Sequence, residues 1–255
     1  MEYRLLLQLR KTVEEKQETL PLELLKKIDH RFNVEYAHNS TAIEGNTLTL
    51  VQTKAIIEEG FPKGENISCE IYEVFDHAKA FAYMQKCVEE WMPLDENIVK
   101  DIHELLMENI LAGGFYRNVE VRITGAGHKP PTPSEMYRQV KAFFEDLPYR
   151  TDLNVIELAA WTHAEFVRIH PFTDGNGRTS RMIMNYQLMS NGFLPISIAK
   201  ENRLEYFEAL ESYAVDGDLT PFAEMIAELE KQRLEEYIAI SEEQELDGSS
   251  QEQTM

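Results

Sequence analysis

The stretch His170-Pro171-Phe172-Thr173-Asp174-Gly175-Asn176-Gly177-Arg178-Thr179-Ser180-Arg181 decides how the rest of this 255-residue chain is read. Two glycines flank Asn176, so the backbone can bend tightly and approach a ligand with no Cβ in the way. A helix is expected to begin near Asn176. Its first N–H groups lack partners and, with the helix dipole, make an anion site. Arg178 and Arg181 are three residues apart and share one side of the first turns. Two guanidinium forks beside such a site suit a polyphosphate. Asp174 would repel that ligand unless a cation bridged them. Mg²⁺ commonly binds through one or two carboxylates plus phosphate oxygens, which makes Asp174 the candidate metal ligand. His170 can take a proton near neutral pH, and Phe172 reads as an apolar anchor for the loop.

Working outward, most of the chain has helical periodicity. Residues 3–17 and 21–36 carry apolar residues at helical spacing, broken at Pro21. Thr47 or Thr49 is expected to cap a helix that stops at Gly60. A long amphipathic segment from Glu70 to Glu90 places Ile71, Val74, Phe75, Ala78, Phe81 and Ala82 on one face. Pro93 and Asp95 open a helix running to Gly113-Gly114. Ser134 is expected to cap another, and Asp152 or Asn154 the helix that leads into the loop. Two more helices follow Lys200 and Thr220. Between Tyr116 and Pro133 the pattern changes: Val119, Val121 and Ile123 alternate, then Gly125-Ala126-Gly127 and three prolines follow. That reads as a short β-hairpin or an extended flap. From about Glu235 the chain turns acidic and polar, and residues 235–255 are expected to be disordered. The fold expected is all-α with one small hairpin.

Charge narrows the partners. Against 25 basic residues stand 45 acidic ones, a formal net charge of -20. Such a surface repels phosphate backbones and anionic lipid heads, so neither nucleic acid nor a membrane is expected as a partner. The two cysteines, Cys69 and Cys87, have no metal-site or disulfide-framework spacing. No signal peptide and no membrane-spanning apolar run is apparent, and the expectation is a cytoplasmic protein.

The twelve-residue stretch matches the signature H-x-F-x-[DE]-G-N-G-R-x-x-R and so resembles the Fic (Fido) family. The resemblance extends from about Asp95 to Glu230. It is similar to the protein adenylyltransferases of that family that carry an N-terminal inhibitory helix, the class II type. It implies a Fido helical domain over residues 95–230, with residues 1–92 as a helical region bearing the inhibitory motif. It also implies His170 as general base, ATP as substrate, and Mg²⁺ (or Mn²⁺) on Asp174. Gly175, Asn176, Gly177 and Arg178 would cradle the phosphates, and Arg181 would meet the γ-phosphate. Gly125, Ala126, Gly127 and His128 would cover the nucleotide and hold a protein target like an added strand. Tyr206 and Phe207 lie where similar proteins line the base. Ala214 stands where close relatives have asparagine.

Upstream, Ser40-Thr41-Ala42-Ile43-Glu44-Gly45 resembles the family's inhibitory motif [ST]-x-x-x-E-[GN]. The resemblance implies Glu44 pairing with Arg181, supported by Ser40. It leaves open a homodimer, transfer of another nucleotide or a phosphate group, and removal of AMP from a modified protein. The other histidines show no metal-ligand spacing and read as surface or hydrogen-bonded core residues. A different class of reading, an ATP sensor without catalysis, would not need a base at His170.

Overall fold

The computed structural model describes residues 3–60, 68–123 and 125–252. Ten α-helices run through them: α1 (Tyr3–Thr19), α2 (Leu22–Ile43), α3 (Leu50–Glu59), α4 (Cys69–Glu89), α5 (Glu96–Met107), α6 (Pro133–Asp146), α7 (Val155–Ile169), α8 (Asn176–Ser190), α9 (Arg203–Asp216) and α10 (Thr220–Glu252). The all-α expectation stands, and no helix among the described residues is long and apolar enough to cross a membrane.

The helix pair α7–α8 forms the centre, because both helices are apolar on two sides. Ile156, Ala159, Ala160 and Ala164 of α7 join Met184 and Leu188 of α8 in one cluster, with Leu6, Val13, Phe222 and Leu234 from α1 and α10. Trp161, Phe166 and Ile169 join Met182, Ile183 and Tyr186 in a second cluster, with Phe81, Ile102, Met136 and Phe143 from α4, α5 and α6. Burial stabilises each of the larger aliphatic and aromatic side chains here by about 1.5–3 kcal/mol. The turn between α7 and α8 is therefore anchored at both ends in core.

Local chemistry sets the helix ends. Thr49 caps α3 in a reciprocal box with Gln52, and Asn154 caps α7 in a box with Glu157. Thr132, not Ser134, caps α6, because Glu135 closes the box and Pro133 suits the first helical turn. On α4, Ala82 is exposed and His77, Ala80 and Met84 are buried instead, a one-residue rotation of the expected face. The helix expected to reach Gly113-Gly114 ends at Met107.

Two further expectations are corrected. The flap forms no strand among the described residues. Pro130 and Pro131 have no N–H to donate to a ladder, and one turn bond, Ala126 N–H to Ile123 O at 3.3 Å, marks the reversal. The acidic tail is helical rather than disordered through Glu252, and residues 253–255 lie outside the described residues. Leu234, Tyr237 and Ser241 recur at spacings of three and four and are buried, with α1 packed alongside α10, so an apolar stripe continues beneath the acidic surface.

Candidate active site at the α7–α8 turn

His170 ends α7 in the left-handed conformation, φ 54° and ψ 59°, which is uncommon outside glycine. Its Nδ1 donates to Val167 O at 3.3 Å, which leaves Nε2 as the acceptor nitrogen. Burial is the main cause that pushes its pKa down to about 4; the bond to Val167 O opposes this most, the Arg117 charge adds to it, and Glu44 and Asp174 oppose it. The ring is thus neutral at physiological pH, the state a base requires.

The loop that follows is held by its own side chains. Asn176 Oδ1 accepts from Phe172 N–H and its Nδ2 donates to Phe172 O, both at 2.9 Å. The Asn176 amide therefore shapes the cradle rather than facing a ligand. Phe172 is fully buried, stacked on His103 with ring centroids 3.5 Å apart. The His103 Nδ1 accepts from Gly114 N–H at 2.9 Å and its Nε2–H donates to Asp174 O at 3.0 Å. Gly175 has φ 75°, and a Cβ there would press on Met107 and His103.

Thr179 N–H is the first of α8 to close a helical bond, on Gly175 O at 2.9 Å. The N–H groups of residues 176–178 thus form the helix's open, electropositive end. Arg178 is buried beside it, its Nη2 at 3.8 Å from Asp174 Oδ2, and its Nε and Nη1 have no partner among the described residues. The Asp174 carboxylate is 58% exposed at the mouth. No group of three or more His, Cys, Asp or Glu suited to a metal occurs among the described residues. A cation here would have one protein carboxylate and would draw its other ligands from phosphate and water. That donor set fits Mg²⁺, which keeps several waters, and does not fit a closed Zn²⁺ site.

Arg181 is buried beneath Gly177, every nitrogen engaged. Its Nε donates to Ser40 Oγ at 3.0 Å, Nη1 to Tyr206 Oη at 3.2 Å, and Nη2 to both Ser40 O and Glu44 Oε1 at 2.8 Å. The Tyr206 hydroxyl in turn meets His163 Nε2 at 2.9 Å, and His163 also meets Ser180 Oγ at 3.2 Å. Tyr206 is 1% exposed. It therefore holds Arg181 from behind and presents no face for a base, whereas neighbouring Phe207 is 39% exposed.

Glu44 sits at the C-terminus of α2, whose last carbonyl, Ile43 O, accepts from Arg203 Nε at 2.7 Å. Past it, Asn46 Nδ2 binds Glu70 O and Glu73 Oε2, so the segment is clamped to α4. A Cβ built on Gly177 would land inside the Glu44 carboxylate. The carboxylate thus lies directly over the open end of α8.

The flap is tied to α9 and α7. Gly127 N–H donates to Glu211 Oε1 at 2.6 Å, and His128 Nε2 bonds Arg168 O at 2.9 Å. His128 therefore faces α7 through that nitrogen. Gly125 and Ala126 form the tip. Arg117, at the flap's root, donates from Nε to His170 O at 2.8 Å. Arg117, His103 and His163 are the site residues that spacing does not reveal. Each acts through backbone or through side chains distant in the sequence, and only Arg117 leaves a trace, as a charge in register with an apolar alternation.

Residues 93–188 match the family model described as Fic/DOC family. A curated relative from Nematostella vectensis named "Protein adenylyltransferase Fic" is 35% identical over 212 residues, which is 80% of this chain and 48% of that protein. The chain thus spans about half the length of the curated relatives it matches. A Fic domain containing signaling protein from Bacteroides thetaiotaomicron superposes with a TM-score of 0.79 at 25% identity, over 92% of this chain and 98% of that one. A Fic-1 structure from C. elegans gives 0.79 at 26%, over 94% and 74%. With its signature loop intact between two core helices, the chain belongs to the Fic/DOC family.

Proposed function

We propose that the chain transfers AMP from ATP to a hydroxyl side chain of another protein, and that Glu44 restrains it. The observation that carries this reading is a neutral imidazole with Nε2 as its acceptor nitrogen, near the α8 N-terminus and two buried arginines. Binding alone does not require the first of these. The name shared by the curated relatives points the same way.

In this reading residues 95–230 carry the chemistry and residues 1–92 the restraint. The phosphates lie on the N–H groups of residues 176–178, with Arg178 and Arg181 on their oxygens. Asp174 would hold Mg²⁺, or Mn²⁺, which would neutralise phosphate charge. The target hydroxyl passes its proton to His170 Nε2 as its oxygen bonds to the α-phosphorus. The bond from that phosphorus to the pyrophosphate oxygen breaks. Charge develops on oxygens already faced by fixed donors, so positioning and electrostatics dominate. The flap, which has no strand ladder among the described residues, offers an edge for the target segment. Phe207 is the aromatic surface left to the base.

The restraint follows from position. A carboxylate over the end of α8 and on Arg181 takes the place and partner of a phosphate. The test is incubation with Mg²⁺ and ATP labelled at either the α- or the γ-phosphorus. The α-label should enter protein and the γ-label should not. Entry of the γ-label would make the chain a kinase, and entry of neither, even after Glu44→Gly, would remove the transferase reading.

A further inference from the structure

Arg117 is 2% exposed, yet no carboxylate lies within ion-pair distance of it among the described residues. Glu120 attracts it only from beyond contact, and a buried guanidinium without a contacting carboxylate is costly unless its donors are matched. Here carbonyls do the matching. Nε donates to His170 O at 2.8 Å, Nη1 to Val119 O at 2.8 Å and Nη2 to Pro131 O at 2.6 Å. The Arg117 N–H adds a bond to Pro171 O at 2.9 Å. The three side-chain acceptors come from three places: the left-handed end of α7, the entry of the flap and its exit.

We propose that Arg117 is a positioning residue that fixes the flap and His170 as one unit, so that the target-holding edge and the base keep a set distance and angle. The inference rests on the transferase reading above for its catalytic consequence, though not for its structural one. The flap has no strand ladder among the described residues, and Pro130 and Pro131 at its exit have no N–H to give one. Its roots are instead joined through one planar fork. The same fork pins the His170 carbonyl, and with it the sparsely populated backbone that lets Nδ1 reach Val167 O and leaves Nε2 as the acceptor nitrogen. Lysine has one ammonium where three divergent donors are needed, so it cannot serve all three carbonyls.

The test uses Arg117→Lys and Arg117→Met, each in full-length protein carrying Glu44→Gly so that activity is measurable. Steady-state incorporation of α-labelled AMP gives kcat and the KM for ATP. Side-chain ¹⁵N spectra report the His170 tautomer, and a thermal melt checks folding. Both variants should lower kcat by at least about tenfold, with the KM for ATP changed by less than about threefold. The His170 resonances should move from a single Nδ1–H tautomer to a mixture. An unchanged kcat with an unchanged tautomer would overturn the proposal. So would a parallel collapse of kcat, ATP affinity and melting temperature in both variants, which would make Arg117 a stabilising staple only. If the Glu44→Gly parent transfers no AMP, the transferase reading fails by itself, and the tautomer result still decides whether Arg117 positions His170.

Discussion

Arg181 Nη2 and Glu44 Oε1 are 2.8 Å apart, and the carboxylate that makes this contact covers Gly177 at the open end of α8. The pair is lopsided: the Arg181 side chain is 1% exposed and that of Glu44 37%. A charge-assisted bond contributes about 1.5–3 kcal/mol, and solvent on the Glu44 side reduces this to roughly 1–2. That suits a restraint able to yield. Arg181 would stay in place without it, since Ser40 and Tyr206 bind its other nitrogens.

Tyr206→Phe tests that support. Removing the hydroxyl leaves Arg181 Nη1 without its acceptor and takes one of two contacts from His163 Nε2. Losing a buried bond to a charged group should cost about 1–3 kcal/mol. A urea melt should show that loss, and in the Glu44→Gly protein the KM for ATP should rise. An unchanged melt would return Tyr206 to simple core packing.

Asn176→Ala removes both bonds that close the loop on Phe172, inside a site where water cannot replace them. The expected destabilisation is about 2–4 kcal/mol. ATP affinity, measured by calorimetry in the Glu44→Gly protein, should fall because the N–H groups lose their alignment. Binding at full strength would show that the cradle forms without its amide.

Glu230 on α10 is buried, with Oε1 accepting from Leu194 N–H at 3.1 Å and Oε2 unpartnered among the described residues. Burial pushes its pKa up to about 8, opposed by Leu194 N–H and Arg233. A raised carboxyl favours the fold below its unfolded value near 4.5, and that benefit is lost as pH rises through about 8. Relative to wild type, Glu230→Gln should therefore gain stability as pH climbs from about 5 to 8. Melts that stay parallel across that range would contradict the assignment.

The His170 base gives a different pH signature. With a pKa near 4, the imidazole stays unprotonated through the neutral range. In the Glu44→Gly protein, kcat/KM should be flat on its account from about pH 5.5 to 8 and decline only on approach to 4. An acid limb centred near 6.5 would mean that the ring is solvated in the working enzyme.

Much of this was legible in the sequence because helices and the loop are written in local code. Asn154, Thr49 and Gly60 mark ends by chemistry that acts within four residues, and the Gly-Asn-Gly bend sits where α8 starts. What escaped depends on distant partners. Tyr206 looks like any core aromatic until Arg181 and His163 meet it, and His103 until Gly114 and Asp174 do. The flap failed as a hairpin because alternation predicts which side chains turn inward, not whether a partner strand exists. The tail failed as disorder because its acidic surface hid the Leu234, Tyr237 and Ser241 stripe.

The central claim, a transferase held back by Glu44, is tested most directly by α-labelled AMP incorporation into protein. Wild type, Glu44→Gly, and Glu44→Gly with His170→Ala should be compared at equal, verified folding. Glu44→Gly should incorporate about tenfold more label than wild type, from roughly 1–2 kcal/mol of lost restraint. Adding His170→Ala should abolish incorporation while ATP binding persists. Equal or lower incorporation by Glu44→Gly, or undiminished incorporation without His170, would contradict the claim.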